Sequence, residues 1–151
     1  MAQIAGAYFR DANGVPITND GIIVTKSIAY DGTAGLGNAS ETITLFTVTG
    51  DVIVLVFGVC SESLVGATTL EIGVTGATAG LVAQTTATNI DSGMVWIDAS
   101  PDETQALPGA FILTGGADII ETVGGADVTD GTINHYCIWR PLSSDGNIVA
   151  A

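Results

Sequence analysis

Short apolar runs separated by turn-forming residues restrict the fold of this chain more than any other feature. Each run is five to ten residues long and rich in Val, Ile and Thr, and Gly, Pro, Asn, Asp or Ser stand between successive runs. This pattern is typical of β-strands joined by tight turns. The predicted strands are residues 22–30, 42–49, 52–60, 68–74, 80–85, 94–98, 110–114, 118–123 and 131–140. No segment repeats its apolar residues with the period of an amphipathic helix, so the sequence predicts an all-β chain.

The spacing of these runs favours one antiparallel β-sandwich of the jelly-roll or Greek-key type. A chain of 151 residues is long enough for a single core of this kind. We divide it into an extended N-terminal arm at residues 1–20, a sandwich domain at residues 21–142 and a C-terminal tail at residues 143–151.

The arm mixes isolated apolar residues with turn formers, so it predicts neither a helix nor one continuous strand. Its aromatic residues are unusual for a solvated tail. We therefore expect the arm to bind a partner, either another protein or an adjacent subunit. The alternative is that it folds back on its own sandwich as an edge strand. The candidate contact residues are Ile4, Tyr8, Phe9, Arg10, Val15 and Ile17.

Residues 52–60 (VIVLVFGVC) are apolar at every position. A monomeric sandwich buries only one face of each sheet, so such a strand is either central or covered by a neighbouring subunit. We predict Val52, Val54 and Val56 as candidates for a subunit interface and a homotrimer as the assembled form. Loops or the arm covering the second face are the alternative.

Charge excludes two classes of partner. The chain has three Lys and Arg against sixteen Asp and Glu, for a net charge of −13. A phosphate backbone or an anionic membrane surface needs a basic patch, so we predict neither nucleic acid nor membrane as a partner. The N-terminal sequence also lacks the pattern of a secretory signal.

Few residues are candidates for catalysis. His135 is the sole histidine, and on a strand it would share a face with Cys137. A Cys–His dyad is therefore conceivable, but the apolar neighbours favour a core histidine. We predict no catalytic residues, no enzymatic activity and no cofactor. Cys60 and Cys137 are predicted to be buried free thiols, because each lies within an apolar run, and a disulfide between them is the alternative.

Three aspartates in predicted turns are candidate metal ligands. Asp118, Asp127 and Asp130 lie near the repeated GGAD turns, and loop carboxylates suit calcium. Asp is also an ordinary turn residue that accepts hydrogen bonds from nearby backbone. We predict no metal site, with calcium at these carboxylates as the alternative.

Several segments resemble the small β-rich decoration (auxiliary or cement) proteins of tailed-bacteriophage heads. They are TLFTVTGDVIVLVFGVC, ATTLEIGVTGATAGLVAQTTATNID, WIDASPDE and YCIWRPLSSDGNI, within roughly residues 40–147. The resemblance implies a non-enzymatic virion protein on the outer capsid surface, assembled in the bacterial cytoplasm. Its implied partners are the major capsid protein and copies of itself, commonly as a trimer.

The other reading is a receptor- or glycan-binding sandwich of a phage fibre or tail. It would use exposed aromatic residues at loop tips, and Trp96 with the loop at residues 98–103 are its candidates.

Overall fold

A computed structural model of the chain describes residues 17–18 and 21–151, with side chains from residue 21 onward. The predicted arm residues Ile4, Tyr8, Phe9, Arg10 and Val15 lie outside the described residues. Ile17 is described only as part of a short strand. All structural statements below concern the described part of the chain.

The described chain is built from strands, so the all-β prediction is confirmed. The one helical element is a three-residue 3₁₀ turn, Ala87–Asn89. The strands are β1 (Ile17–Thr18), β2 (Gly21–Ala29), β3 (Thr42–Thr49), β4 (Val52–Val65), β5 (Thr69–Val74), β6 (Ala77–Thr86), β7 (Val95–Trp96), β8 (Phe111–Leu113), β9 (Ile119–Val123), β10 (Asp130–Pro141) and β11 (Asn147–Ala150). Among the described residues, no helix has the length and apolar character needed to cross a membrane.

The strands form two antiparallel sheets. The first has the order β1-β2-β10-β4-β7, with β8 also paired to β4, and the second has the order β11-β3-β9-β5-β6. The longest pairing joins β4 and β10 at the middle of the first sheet, where Val56 lies opposite Cys137. Buried residues of both sheets belong to one apolar cluster, so the architecture is sandwich-like.

Alternation of side chains explains how β4 fits this arrangement. Val52, Val54 and Val56 are buried, whereas Ile53, Leu55 and Phe57 between them are half-buried. Successive side chains of a strand point to opposite faces, so the first set faces the second sheet and the other set faces outward. A strand that is apolar on both faces thus supplies both the core and an outer surface.

The C-terminal segment is part of the domain, which corrects the prediction of a tail at residues 143–151. β11 pairs with β3, and Ile148 lies opposite Val48. The Ile148 side chain is buried in the shared core. The apolar run in NIVA, residues 147–150, is too short to predict a strand from the sequence. In the structure, pairing with β3 provides hydrogen-bond partners for its backbone groups.

The N-terminal boundary is also shifted. Ile17 lies opposite Ile22 in the pairing of β1 with β2, so residues 17–18 form an edge of the first sheet rather than part of a separate arm. The chain therefore enters the described structure beside β2.

Candidate functional site

The outward side of the first sheet carries a largely apolar surface, which we call the outer face. Its members alternate with the buried core residues along β2, β4 and β10. The apolar members are Ile23, Leu55, Phe57, Val59, Tyr136 and Ile138, of which Ile23 is exposed, Ile138 is buried and the others are half-buried. The same rows also contain the polar residues Thr25, Ser27 and Asn134. Every described strand belongs to one of the two sheets, so no third layer of strands covers this face.

Register places these side chains in rows across the sheet. Ile138 lies opposite both Ile23 and Leu55, and Tyr136 lies opposite Phe57 in the next row. The Phe57 and Tyr136 rings stack with centroids 5.3 Å apart and an interplanar angle of 14°. Cross-strand pairs of this kind stabilise the sheet and hold the two rings against each other.

Charge is nearly absent from this surface. In the rows between Ile53 and Val59 the outward residues of β2, β4 and β10 include no carboxylate, and the one charged side chain is Arg140 at the end of β10. Next to Ile53, the edge strand β8 adds Ile112, which is 67% exposed. A largely apolar surface with a single charged side chain, on a chain of net charge −13, is suited to contact with another protein surface.

The predicted interface residues of β4 are corrected by this geometry. Val52, Val54 and Val56 are no more than 1% exposed, because they fill the core between the sheets. The side chains of β4 that a partner can reach are instead Ile53, Leu55 and Phe57. The sequence indicated two apolar faces but could not indicate which one pointed inward.

A polar network lies in the middle of the core. Glu121 on β9 is fully buried, and its carboxylate accepts hydrogen bonds from the Tyr30 hydroxyl at 2.9 Å to each oxygen. His135 on β10 is also fully buried, with Nε2 at 2.8 Å from Glu121 Oε2. Tyr30, which directly follows β2, and His135 of the first sheet therefore meet one carboxylate of the second sheet, which ties the two sheets together.

The network is a cluster inside the core, and all three of its side chains are buried. The Nδ1 atom of His135 has no hydrogen-bond partner among the described atoms, so the tautomer with its proton on Nε2 gives the ring N–H an acceptor. The Trp96 ring lies edge-on to the imidazole, with centroids 6.4 Å apart. Burial, followed by the charge and hydrogen bond of Glu121, raises the pKa of Tyr30 well above its ordinary value.

His135 and Cys137 share the inner face of β10, as period-2 alternation predicts, but His135 is bonded to Glu121. Burial raises the pKa of the Cys137 thiol to about 12, so this group stays protonated and is a poor nucleophile. The geometry therefore does not favour the conceivable Cys–His dyad.

Both cysteines are buried and free, as predicted. Cys60 lies opposite Ile133, four residues along β10 from Cys137. At roughly 3.3 Å per residue this separation is about 13 Å, beyond the roughly 7 Å between Cα atoms that a disulfide spans.

Trp96, the candidate aromatic platform for a glycan, is fully buried. Its indole Nε1 donates to Thr85 Oγ1 at 2.8 Å inside the domain. The side chain is therefore not available to stack on a sugar, so Trp96 does not support the glycan-binding alternative.

The three calcium candidates do not converge. Each accepts a hydrogen bond from a different backbone N–H: Asp118 from Val48, Asp127 from Ala39 and Asp130 from Gly131. Within the part of the chain that the structure describes, no group of three or more His, Cys, Asp or Glu side chains is placed to hold a metal. These carboxylates act as turn and loop caps.

An open groove of about 630 Å³ lies near the end of β4 and is lined by Val65, Gly66, Ala67, Thr68, Thr69, Thr86 and Thr88. Its side-chain polar atoms are threonine hydroxyls. None of these lining side chains titrates near neutral pH, so the groove offers no acid–base pair of its own.

Comparison of the chain with protein-family models, curated proteins and solved structures finds no match.

The sequence reasoning missed Glu121. Ile119, Glu121 and Val123 alternate along one apolar run, and this period places the carboxylate on the same face as two core residues. That pattern was a usable signal. The partners Tyr30 and His135 come from distant parts of the chain, so only the tertiary structure identifies them.

Proposed function

We propose that this chain is a structural protein of the virion that binds the outer surface of a tailed-phage capsid and stabilises contacts between major capsid subunits. The role is mechanical and non-catalytic, and the assembled form is a homotrimer. The observation that carries the proposal is the outer face of the first sheet, which is largely apolar and almost free of charge.

The energetics of assembly favour such a surface. Removing apolar area from water stabilises a complex by roughly 25 cal/mol per Å². A carboxylate buried without a partner would oppose assembly, and the rows of the outer face contain none. A stable interface usually exceeds about 1,000 Å² in total, and a face spanning three strands can contribute a large part of it.

We further propose that the sandwich is a jelly roll. What supports this is the path of the chain: β2, β3, β4 and β5 alternate between the two sheets, and β9, β10 and β11 do so again. The jelly roll is a fold of viral capsid and lectin domains. A fold alone does not assign a function, so this path supports the capsid proposal only together with the outer face.

The resemblance to phage decoration proteins is the second support. Its segments lie within roughly residues 40–147 and include much of β4 and the end of β10, which build the outer face. The proposed location is thus the outer capsid surface, after assembly in the bacterial cytoplasm.

The deciding experiment measures the heat stability of capsids with and without this protein. Capsids carrying the wild-type chain should release DNA at a higher temperature than capsids lacking it. Leu55→Ser on the outer face should weaken both capsid binding and this protection. Val149→Ser is the matched control, because Val149 is an exposed residue of the second sheet. Circular dichroism would establish that both variants fold.

Unchanged heat stability, together with binding of the purified chain to host cells or glycans, would contradict the capsid role and favour the receptor-binding alternative. Equal protection by the wild type and Leu55→Ser would leave a capsid role but remove the outer face from it.

A further inference from the structure

We propose that a second copy of this chain docks on the outer face where β8, β4 and β10 meet, and that Arg140 anchors it by pairing with a carboxylate of that copy. Such a contact builds the homotrimer of the proposed function, and the inference rests on that assembly. Three observations support it: one row of side chains that crosses the three strands, an arginine with no partner among the described residues, and the distribution of the carboxylates.

One row of outward side chains crosses this end of the outer face. Ile53 on β4 lies opposite Arg140 on β10 and opposite Ile112 on β8. Ile112 is 67% exposed, and Ile53 between the two is half-buried. The pair of Leu55 and Ile138 forms the next row, so this end is continuous with the rest of the face. Arginine is enriched at protein interfaces and contributes most where neighbouring side chains exclude water around it.

Arg140 is exposed and has no partner within the described part of the chain. Lys26, the other described Lys or Arg, donates to two main-chain oxygens of its own molecule. Arg140 makes no such hydrogen bond or ion pair with any described residue, although the chain carries sixteen Asp and Glu residues. Its guanidinium has five N–H donors in a fixed fork and is therefore available to a carboxylate of another molecule.

The surface of a second copy supplies that carboxylate. Among the described Asp and Glu residues Glu121 alone is buried, so the others reach the surface. Asp98, Asp102 and Glu103, in the loop between β7 and β8, are examples of exposed ones. The net charge of each copy opposes association over a distance, whereas an arginine–carboxylate pair attracts at contact. This local complementarity directs a second copy to the Arg140 end of the face.

A cyclic trimer suits one unpaired cation and many exposed carboxylates. In a cyclic trimer each contact joins two different surfaces of neighbouring copies, whereas a two-fold contact brings one patch against itself. Arg140 of one copy therefore meets a different surface of the next copy rather than the next Arg140. Each copy then contributes the arginine to one contact and a carboxylate to the other, and the ring closes.

Sedimentation of the purified chain at about 0.1 M salt tests the anchor. Arg140→Gln should raise the dissociation constant of self-association about tenfold or more, because charged hydrogen bonds are lost. Val149→Glu, on the exposed side of β11, is the matched control. Both variants change the net charge from −13 to −14, the first by removing a cation and the second by adding a carboxylate. Equal effects would show that net charge alone matters and would overturn the inference. Circular dichroism establishes that both variants fold.

Salt separates the ionic part of the contact from the apolar part. The difference between the wild type and Arg140→Gln should narrow as salt is raised, because salt screens the ion pair. Ile112→Ser should weaken association at every salt concentration, since apolar contact is not screened. A wild-type chain that stays monomeric throughout, or an Ile112→Ser chain that associates like the wild type, would place the second copy elsewhere.

Arg140→Lys identifies the partner directly. This variant keeps the positive charge and supplies an amine, which a water-soluble carbodiimide joins to an adjacent carboxylate as an amide while the reagent becomes a urea. In a mixture of light and isotopically heavy chains, the expected product joins position 140 of one copy to an Asp or Glu of another. Products within one molecule only, or no product at position 140, would contradict the contact. A product formed only with the major capsid protein would assign Arg140 to the capsid instead.

The sedimentation measurements need no capsid, so their failure leaves the capsid stability test of the proposed function standing. Conversely, a chain that self-associates through Arg140 but gives capsids no heat protection would contradict the proposed function and not this contact.

Discussion

At the residue scale, the polar network of the core depends on the side chain of Glu121. Its carboxylate is the acceptor for both Tyr30 and His135, and no described Lys or Arg lies within ion-pair distance of it. Lys26 donates instead to the main-chain oxygens of Thr44 and Ala151. Removing the carboxylate would leave buried donors without a partner, which is costly in an apolar interior.

We expect Glu121→Ala to lower the free energy of unfolding by about 3–5 kcal/mol, the usual range when one member of a buried pair is removed. Denaturant unfolding at neutral pH measures it. The control is Glu71→Ala on β5, which loses a solvent-exposed hydrogen bond to Gln84 and should change stability by less than about 1 kcal/mol. Equal losses in the two variants would contradict a special role for the network.

Tyr30 and Cys137 predict alkaline instability. Burial is the main cause that raises both pKa values, that of Cys137 to about 12. In the unfolded chain the pKa of the thiol is about 8.5 and that of the phenol is about 10. Both groups therefore stabilise the fold fully below these values, and this stabilisation is lost as the pH rises toward the folded-state pKa values.

Each such group should lower the free energy of unfolding by up to about 1.4 kcal/mol per pH unit across its window. The free energy of unfolding, measured from pH 8 to 11, should fall less steeply than in the wild type in both variants. The difference should begin above about pH 10 for Tyr30→Phe and above about pH 8.5 for Cys137→Ala, the pKa values of these groups in an unfolded chain. Profiles parallel to that of the wild type would refute this origin of the pH dependence.

At the scale of the element, β4 requires a glycine at its centre. A Cβ at Gly58 would lie 2.8 Å from Ile133 Cγ2 and 3.5 Å from Trp96 Cε3. Gly58 also lies opposite both His135 and Trp96 in the sheet. The missing side chain therefore allows the indole and the imidazole to pack over the strand.

Gly58→Ala should lower the free energy of unfolding by about 1–3 kcal/mol, because the added methyl group overpacks the core. Gly109→Ala is the control: a Cβ there meets no heavy atom within 4 Å, and stability should stay within about 0.5 kcal/mol. Thermal and denaturant melts compare the two. A Gly58→Ala protein as stable as the control would show that Ile133 and Trp96 move to accommodate the methyl group at little cost in stability.

The edge strand β11 provides a second test at this scale. Ile148→Ala should cost about 2–4 kcal/mol, since the side chain is buried in the core. Val149→Ala, on the exposed side of the same strand, should cost about 0.5 kcal/mol or less. Denaturant unfolding again measures the difference, and two small, equal effects would restore the interpretation of residues 143–151 as a tail.

At the scale of the whole molecule, net charge and the outer face act in opposite directions. The charge of −13 repels other copies, whereas the apolar outer face favours their association. Salt screens the repulsion, with a Debye length of about 30 Å at 0.01 M and about 10 Å at 0.1 M, and leaves apolar contact largely intact.

Sedimentation or light scattering should therefore show stronger self-association, toward the proposed trimer, as salt is raised. Leu55→Ser should abolish the response and Val149→Ser should keep it. A stable monomer at all salt concentrations would argue against a trimer preformed in solution, while trimerisation on the capsid surface is tested by the capsid experiment.

The sequence by itself determined the class of the fold. Period-2 alternation and turn residues act over a few neighbouring positions, so the strands, the turns between them and the buried thiols of Cys60 and Cys137 follow from local patterns. The same local patterns placed His135 and Cys137 on one face of β10.

Only the tertiary structure decided which face of each strand is inside. Val52 and Ile53 are equally apolar, and the difference between core and outer face depends on how the second sheet packs, which is a property of distant residues. Pairing between residues far apart in sequence also brings Glu121 to Tyr30 and His135 and makes a strand of residues 147–150. Such contacts leave no periodic signal in the chain, because each partner lies in a different segment.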